Sequence, residues 1–528
     1  MTQISRRGLL GGMALIGAAS ATGCASRPVP AAPLPLPEGA FPWGVMSGDP
    51  QPNSLTLWTR VRPVSPRFLD IGPVEVSWQV AADPEFTDIA AAGTTTTDAS
   101  ADHSVKVAVR DLDPDRRWHY RFIVGDATSP HGMTRTAPLA DASPDRLRIA
   151  FLSCQMYSEG YFAAYRHLLD DDVDLVVHLG DYIYEYATSS KQYGLKRLRA
   201  DPVDQPRTLE GFRSKYRLYR TDPDLVECHR RLPFVAIWDD HEVYDDYSRD
   251  VDPAVRTAAY RAWFENMPFQ APPDDPHRVH RSLRWGDLVD MYLLDLSQYR
   301  EPEAPSPFIS TTDQGSLAHK SERSLLGARQ RNEVRNWFSN SDAAWRLLGN
   351  PQMLKQLRLA DLDSPALRRI DPDLPRNAGL YLNGTQWDGY QWERRQLLDH
   401  MVAVNPSDNI VLSGDIHSWW AGTIRQDIDN ADSPAVAAEF VGGSVTSPSF
   451  DYYTATRLPF LNQPIMRTLG DFDYVNLFDH GYGVCEITRD STTVDFRRVD
   501  IDDPGAGVES IANFTVRRGD HHRIIRNS

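Results

Sequence analysis

Apolar and polar residues alternate with a period of two in four segments between positions 41 and 144: Ser54 to Val61, Val74 to Val80, Ser104 to Val109 and Trp118 to Val124. Successive side chains of a strand point to opposite faces, so this period predicts half-buried strands. Turns rich in Gly, Pro and Asp separate the segments, and no long helical period intervenes. Short strands at this spacing predict an antiparallel β-sandwich of immunoglobulin or fibronectin type over residues 41–144. Metal-ligating side chains do not cluster there, so the sandwich is read as a packing or positioning domain.

The pattern changes near Arg146. Leu147 to Ser153 and Asp174 to Leu179 are apolar runs of buried-strand type, and Gly160 to Asp170 between them has helical spacing. Strand, helix and strand make a βαβ unit. Further apolar runs lie at Phe234 to Trp238, Leu288 to Leu294, Trp345 to Gly349 and Asn409 to Ser413. Residues 145–528 therefore read as an α/β or α+β domain around a large sheet. Two domains suit a chain of 528 residues, because single cores rarely grow past about 250–300 residues.

The N-terminus reads as an address. Ser5-Arg6-Arg7-Gly8 is a paired-arginine segment, followed by an apolar stretch from Leu9 to Thr22. That stretch is shorter than the roughly 20 residues that span a bilayer. Residues 1–23 resemble a twin-arginine signal, which implies the twin-arginine export machinery as a partner and a periplasmic or extracellular location. Ala21-Thr22-Gly23-Cys24 is a loose lipobox, and a lipid on Cys24 would tether the protein to a membrane. Residues 24–40 form a Pro-rich spacer. Four cysteines exclude a disulfide-stapled fold, and a net charge of -16 argues against nucleic acid as a partner other than as a substrate. The same acidity suits capture of hard cations.

The candidate chemistry sits where the apolar runs end. The first ends in Ser153-Cys154-Gln155, the second in Gly180-Asp181-Tyr182-Ile183-Tyr184-Glu185, and the third in Asp239-Asp240-His241-Glu242. Two later runs end in Asn350-Pro351-Gln352 and Gly414-Asp415-Ile416-His417. Sites in α/β sheets lie beyond the carboxyl ends of strands. A single Asp there would be read as a helix cap and a single Cys as a small core residue. Five such endings bring together carboxylates that repel one another unless cations hold them. A pair of metal ions is the expected occupant.

These motifs resemble the metallophosphoesterases. Gly180-Asp181-x-x-Tyr184 has the form of the GDxxY motif of purple acid phosphatases. Asp240-His241-Glu242 and Gly414-Asp415-x-His417 sit where those enzymes have Asn-His-Asp/Glu and Gly-His-x-His. The endings SCQ, GDYIYE, WDDHE and SGDIH are similar to those of the PhoD-like alkaline phosphatase family, as are Gly44 to Val61 and Glu439 to Pro448. The resemblance implies an N-terminal sandwich followed by an αββα metallophosphoesterase domain. It implies a ferric ion, Fe(3+), held by Cys154, Asp181, Tyr184 and His417. It implies calcium, Ca(2+), at an oxygen-rich position made by Asp181, Asp240, Asn350 and Asp415, with Asp181 bridging, and leaves the number of calcium ions, one or two, open. Replacing His by Asp415 and Asn by Asp240 favours a hard ion there over zinc. His241 would protonate the leaving group, and the role of Asp239 stays open. The implied activity is hydrolysis of phosphate esters by metal-activated hydroxide. Two alternatives stand beside it: a phosphodiesterase or phospholipase acting on lipid, cell-wall or nucleic-acid diesters, and a non-catalytic surface binding protein. Cys228 and Cys485 are expected to be free thiols. His480 is a weaker site candidate, and Trp419, Trp420, Tyr452 and Tyr453 are read as packing residues that could also line a cleft.

Overall fold

The computed structural model describes residues 38–62, 72–189, 197–303, 309–310, 318, 320–362, 364–373, 379–381, 384–404, 407–428, 430, 432–450, 467 and 471–527. The leader, Cys24, nearly all of the spacer, Tyr452 and Tyr453 lie outside them. Among the described residues no helix is long and apolar enough to cross a membrane.

Two large sheets carry the fold, one of ten strands and one of seven. At the centre of the larger, Arg146–Leu152, Leu175–Leu179 and Phe234–Ile237 run parallel. Gly481–Thr488, Ser491–Val499, Val508–Arg517 and Asp520–Arg526 continue it antiparallel on one flank. The smaller sheet is parallel through Val289–Leu293, Trp345–Asn350, Asn409–Ser413 and Ala435–Val441. Its central strands lack polar alternation because both of their faces are covered. Phe151, Val177, Leu347, Leu412 and Phe440 share one core between the sheets. Helices Leu209–Tyr219, Pro223–Arg231 and Pro253–Asn266 pack on the outer face of the first sheet, and Gly327–Asn340 and Gln391–Val404 on that of the second. The layering is helix, sheet, sheet, helix.

The helix expected over Gly160 to Asp170 is shorter, Ala164–Leu168, and has no side-chain cap. Packing of Tyr165 and Leu168 holds it, not capping. Cys228 and Cys485 are buried free thiols.

The N-terminal sandwich is present, with a feature that alternation alone does not reveal. One leaf comprises Ile89–Thr97, Val74–Ala81, Arg117–Val124, Ala127–Thr128 and Gly132–Arg135. The other comprises Val45–Gln51, Ser54–Arg60 and Ser104–Val109. Val45, Leu55, Leu57 and Val107 of one leaf share a core with Val76, Val80, Trp118 and Phe122 of the other. The second leaf is not self-contained. Val45–Gln51 pairs in parallel with Phe234–Ile237 at Gly48 and Phe234, so the leaf is the outer end of the ten-stranded sheet. A Cβ at Gly48 would lie 2.3 Å from the Phe234 carbonyl oxygen, so only glycine permits this junction. Three further bonds tie the leaf to the helix Pro253–Asn266: Trp58 Nε1 donates to the Glu265 carbonyl (2.8 Å), Lys106 Nζ to the Phe264 carbonyl (2.5 Å) and Arg60 Nη2 to Asn266 Oδ1 (3.1 Å).

Candidate metal centre

Every strand ending singled out by sequence converges on one place between the two sheets. Cys154 follows Arg146–Leu152, Asp181 follows Leu175–Leu179, and Asp239 to Glu242 follow Phe234–Ile237. Asn350 ends its strand, and Asp415 and His417 follow Asn409–Ser413. The chain turns abruptly at these ends. Cys154, Asp181, Asp415 and His417 all adopt left-handed backbone, with φ of 61°, 57°, 65° and 53°. Non-glycine residues in that region cost on the order of 1–3 kcal/mol each and persist where surrounding structure enforces them. Gly180 also has positive φ, and a Cβ there would lie 2.5 Å from the Asp239 Cβ. The turns brace one another: the Cys154 amide donates to the Gly180 carbonyl (3.2 Å) and the Gln155 amide to that of Asp181 (3.1 Å).

Among the described residues three groups have ligand atoms within 4.8 Å of one another: Cys154, Asp181 and His417; Asp181, Asp240 and His241; and Asp239, Asp240 and Asp415. Asp181 links the first two and Asp240 the last two. Tyr184 joins the first group, since its hydroxyl donates to Asp181 Oδ2 at 2.9 Å and lies 3.1 Å from His417 Nε2. His417 Nδ1 is 3.0 Å from the Pro448 carbonyl, so it carries the proton and Nε2 faces the group. Asn350 donates from Nδ2 to Ser413 Oγ (3.0 Å) and to the Gln352 carbonyl, and its Oδ1 accepts from Trp387 Nε1 (3.1 Å).

The site is acidic and, Asp415 apart, buried. Burial pushes the Asp181 and Asp239 carboxyls and the Cys154 thiol well up, and neighbouring acids add to the shift. Burial also pushes Asp240 up to about 6 and Glu242 up to about 7. It pushes His417 down to about 3. At His241 burial works the other way, yet Glu185, Asp181 and Asp240 together hold the imidazole well above its ordinary value. Asp239 Oδ2 and Asp240 Oδ1 are buried without a hydrogen-bond partner. Buried carboxylate oxygens are rarely left so, and their number and donor chemistry fit cations. One side offers thiol, phenol, imidazole and carboxylate; the other offers oxygen.

Several residues that sequence reasoning passed over organise this arrangement. Glu242 accepts three backbone N–H groups, from Asp181 (3.1 Å), Tyr182 (2.7 Å) and Asp239 (3.0 Å), and so locks two strand ends together. Glu185 lies 2.8 Å from His241 Nδ1 and accepts the Asp245 amide at 3.1 Å. Asp239 Oδ1 accepts from Ser297 Oγ and Gln352 Nε2, both at 2.9 Å, and Gln386 Nε2 donates to Asp415. Glu242 and Glu185 lie inside the motifs; Ser297 and Gln386 carry no local signal. His480 Nε2 lies 2.9 Å from the Ser447 carbonyl, and Ser447 Oγ in turn donates to the Cys154 carbonyl (2.8 Å), so His480 supports a turn behind Cys154. Trp419 and Trp420 are fully buried packing residues.

Comparison with known proteins adds the family. Residues 149–496 match the family model for PhoD-like phosphatase, and residues 25–138 match that for the PhoD-like phosphatase N-terminal domain. Alkaline phosphatase D of Bacillus subtilis (strain 168) is 31% identical over 495 residues, covering 90% of this chain and 81% of the relative. A solved structure of PhoD superposes with a TM-score of 0.80 at 29% identity, over 93% of this chain and 92% of the other. Purple acid phosphatase PPD1 from yellow lupin (Lupinus luteus) seeds superposes with a TM-score of 0.52 at 11% identity, over 90% of this chain and 75% of the other, a likeness of fold alone. Phosphatases of this family are metal-dependent, and the converging donor groups suit that chemistry. The chain belongs to the PhoD-like phosphatase family and is a hydrolase of phosphate esters.

Proposed function

We propose that this phosphatase works with two cations. Ferric iron is held by Cys154, Asp181, Tyr184 and His417, and calcium by Asp181, Asp240, Asn350 and Asp415. The observation that carries this reading is the sharing of Asp181 between two donor groups. A carboxylate has an oxygen for each of two ions. When bound, such ions neutralise phosphate oxygens and lower the pKa of water.

The chain's own residues do the rest. His241 is the proton donor to the departing oxygen. Its ring packs 4.1 Å from that of Tyr184, its Nδ1 rests on Glu185, and its Nε2 lies 3.7 Å from Asp245. Glu185 thus fixes the ring's orientation and accepts the proton at Nδ1. The paired-arginine leader fits export through the twin-arginine machinery, with Cys24 as a lipid attachment point. Elemental analysis of native protein, coupled to hydrolysis of p-nitrophenyl phosphate and bis-p-nitrophenyl phosphate, tests the reading. Iron and calcium together, with p-nitrophenol released from either substrate, support it, and faster release from the diester would identify a phosphodiesterase. Protein that is fully active with a single type of ion would overturn it.

A further inference from the structure

A cavity of about 280 Å³ lies against the acids that flank His241. Glu185 and Asp245 both line it. They sit beside the two nitrogens of the imidazole, Glu185 at 2.8 Å from Nδ1 and Asp245 at 3.7 Å from Nε2. Glu185 engages Nδ1, so Nε2 is the nitrogen that meets a departing oxygen. Whatever that oxygen carries then lies beside Asp245, at the cavity. Tyr186 extends the wall, with its ring edge-on to the imidazole at 5.7 Å. Tyr244, Arg207 and Asp252 continue it to the surface. Tyr244 is 42% exposed, so its ring offers an open aromatic face. Burial raises its phenol, Arg207 opposes that and Asp252 adds to it, so both charges act on this ring.

The wall is held in shape by the chain itself. The Gln205 amide donates to the Glu185 carbonyl at 2.8 Å. The buried Lys215 ammonium donates to the Tyr186 carbonyl and to Asp201 Oδ2, both at 2.7 Å. Asp252 Oδ1 accepts the Ala254 amide at 2.9 Å, at the start of the helix Pro253–Asn266. The cavity is therefore formed before substrate arrives, as small-molecule sites usually are. Its charge is uneven. With Glu185 set against His241, Asp245 and Asp252 face Arg207 alone. We infer that this cavity receives the leaving group and selects alcohols that bear no negative charge, with cationic ones preferred over neutral ones. A cation there lies against the Tyr244 ring and is drawn by both aspartates. An anionic leaving group meets like charge and is turned away.

The inference rests on His241 as the proton donor, and the experiment separates the two. Phosphate release by the full-length, metal-loaded enzyme is measured on phenyl phosphate and on its para-carboxymethyl and para-(trimethylammonio)methyl derivatives. The methylene keeps the leaving oxygens alike, so the series varies charge alone. Wild type should favour the cationic ester over the anionic one in kcat/KM by about tenfold or more. Asp252→Asn keeps the helix cap, since Asn caps as Asp does. It should shrink that ratio about two- to fivefold, Asp245→Asn should shrink it further, and added salt should weaken both effects. Tyr244→Ala should cost more on phenyl phosphate than on methyl phosphate, whose leaving group is too small to reach the ring. Equal rates on the charged esters in wild type would overturn the inference. So would a ratio untouched in both asparagine variants, or an equal loss on phenyl and methyl phosphate in Tyr244→Ala, the mark of a purely structural role. If His241→Ala costs the same on methyl phosphate as on p-nitrophenyl phosphate, the proton-donor reading falls and this inference with it. A flat charge series beside unequal losses in His241→Ala overturns this inference alone.

Discussion

The two halves of the centre are built differently. On the Cys154 side the donors already meet one another: Tyr184 bonds Asp181, His417 faces both, and Pro448 fixes the imidazole. These residues come from short turns at strand ends, and the fold alone sets them. On the Asp239, Asp240 and Asp415 side, three acids crowd together and oxygens are left unmet. There the chain supplies a shape that an ion completes. The first half should persist without metal, whereas the second should depend on it.

The largest effect should come from the residue common to both halves. Asp181→Asn should lower kcat/KM by about a thousandfold or more, since several kcal/mol of charge stabilisation rest on the ions it links. It should also reduce the content of at least one metal. Near-normal turnover and metal content would break the comparison. His241→Ala tests the neighbour that holds no ion in this scheme. It should cost about a hundredfold or more on alkyl phosphates and much less on p-nitrophenyl phosphate, whose leaving oxygen needs little protonation. An equal loss on both substrates would remove His241 from that role.

Spectroscopy separates the halves directly. A phenolate on ferric iron absorbs visible light, so the loaded protein should be coloured. Tyr184→Phe should lose the band and keep the fold, and Cys154→Ser should shift it. EGTA should lower activity and calcium restore it while the band stays. A band that disappears with calcium would show that the two halves are not independent.

The smallest effect is one of pH on stability. In metal-free protein burial pushes Asp240 up to about 6 from an ordinary 3.8, and Glu242 up to about 7 from 4.5. A raised carboxyl contributes stability below its ordinary pKa and loses it as pH rises through the raised one. The metal-free form should therefore lose this contribution between pH of about 4 and 7. His417, pushed down to about 3, stays neutral over that window and binds metal without releasing a proton. The gap in melting temperature between loaded and EGTA-treated protein should widen as pH rises from about 4 to 7. A gap that is flat across that range would mean that Asp240 is not a metal ligand.

What the sequence disclosed follows the same division. Cys154, Asp181, Tyr184, Asp240, Asp415 and His417 were legible because each stands at or just beyond the end of an apolar run, where a strand must stop and polar chemistry begins. An α/β or α+β domain around a large sheet was legible for the same reason, whereas its layering followed only from the family resemblance. Gln386 and Ser297 were not, because nothing local distinguishes them; packing of distant loops brings them to Asp415 and Asp239. The junction of the sandwich with the large sheet was hidden too. It rests on one glycine beside Phe234, and strand pairing between separate segments leaves no period in either.

That junction makes the protein poor material for dissection. A fragment beginning near Arg146 would lose the strand that pairs with Phe234–Ile237 at Phe234, at the edge of the strand that leads into Asp239 to Glu242. An uncovered, wholly apolar edge recruits other chains. Such a fragment should aggregate when expressed alone, because the sandwich covers the edge of the strand that leads into Asp239 and Asp240.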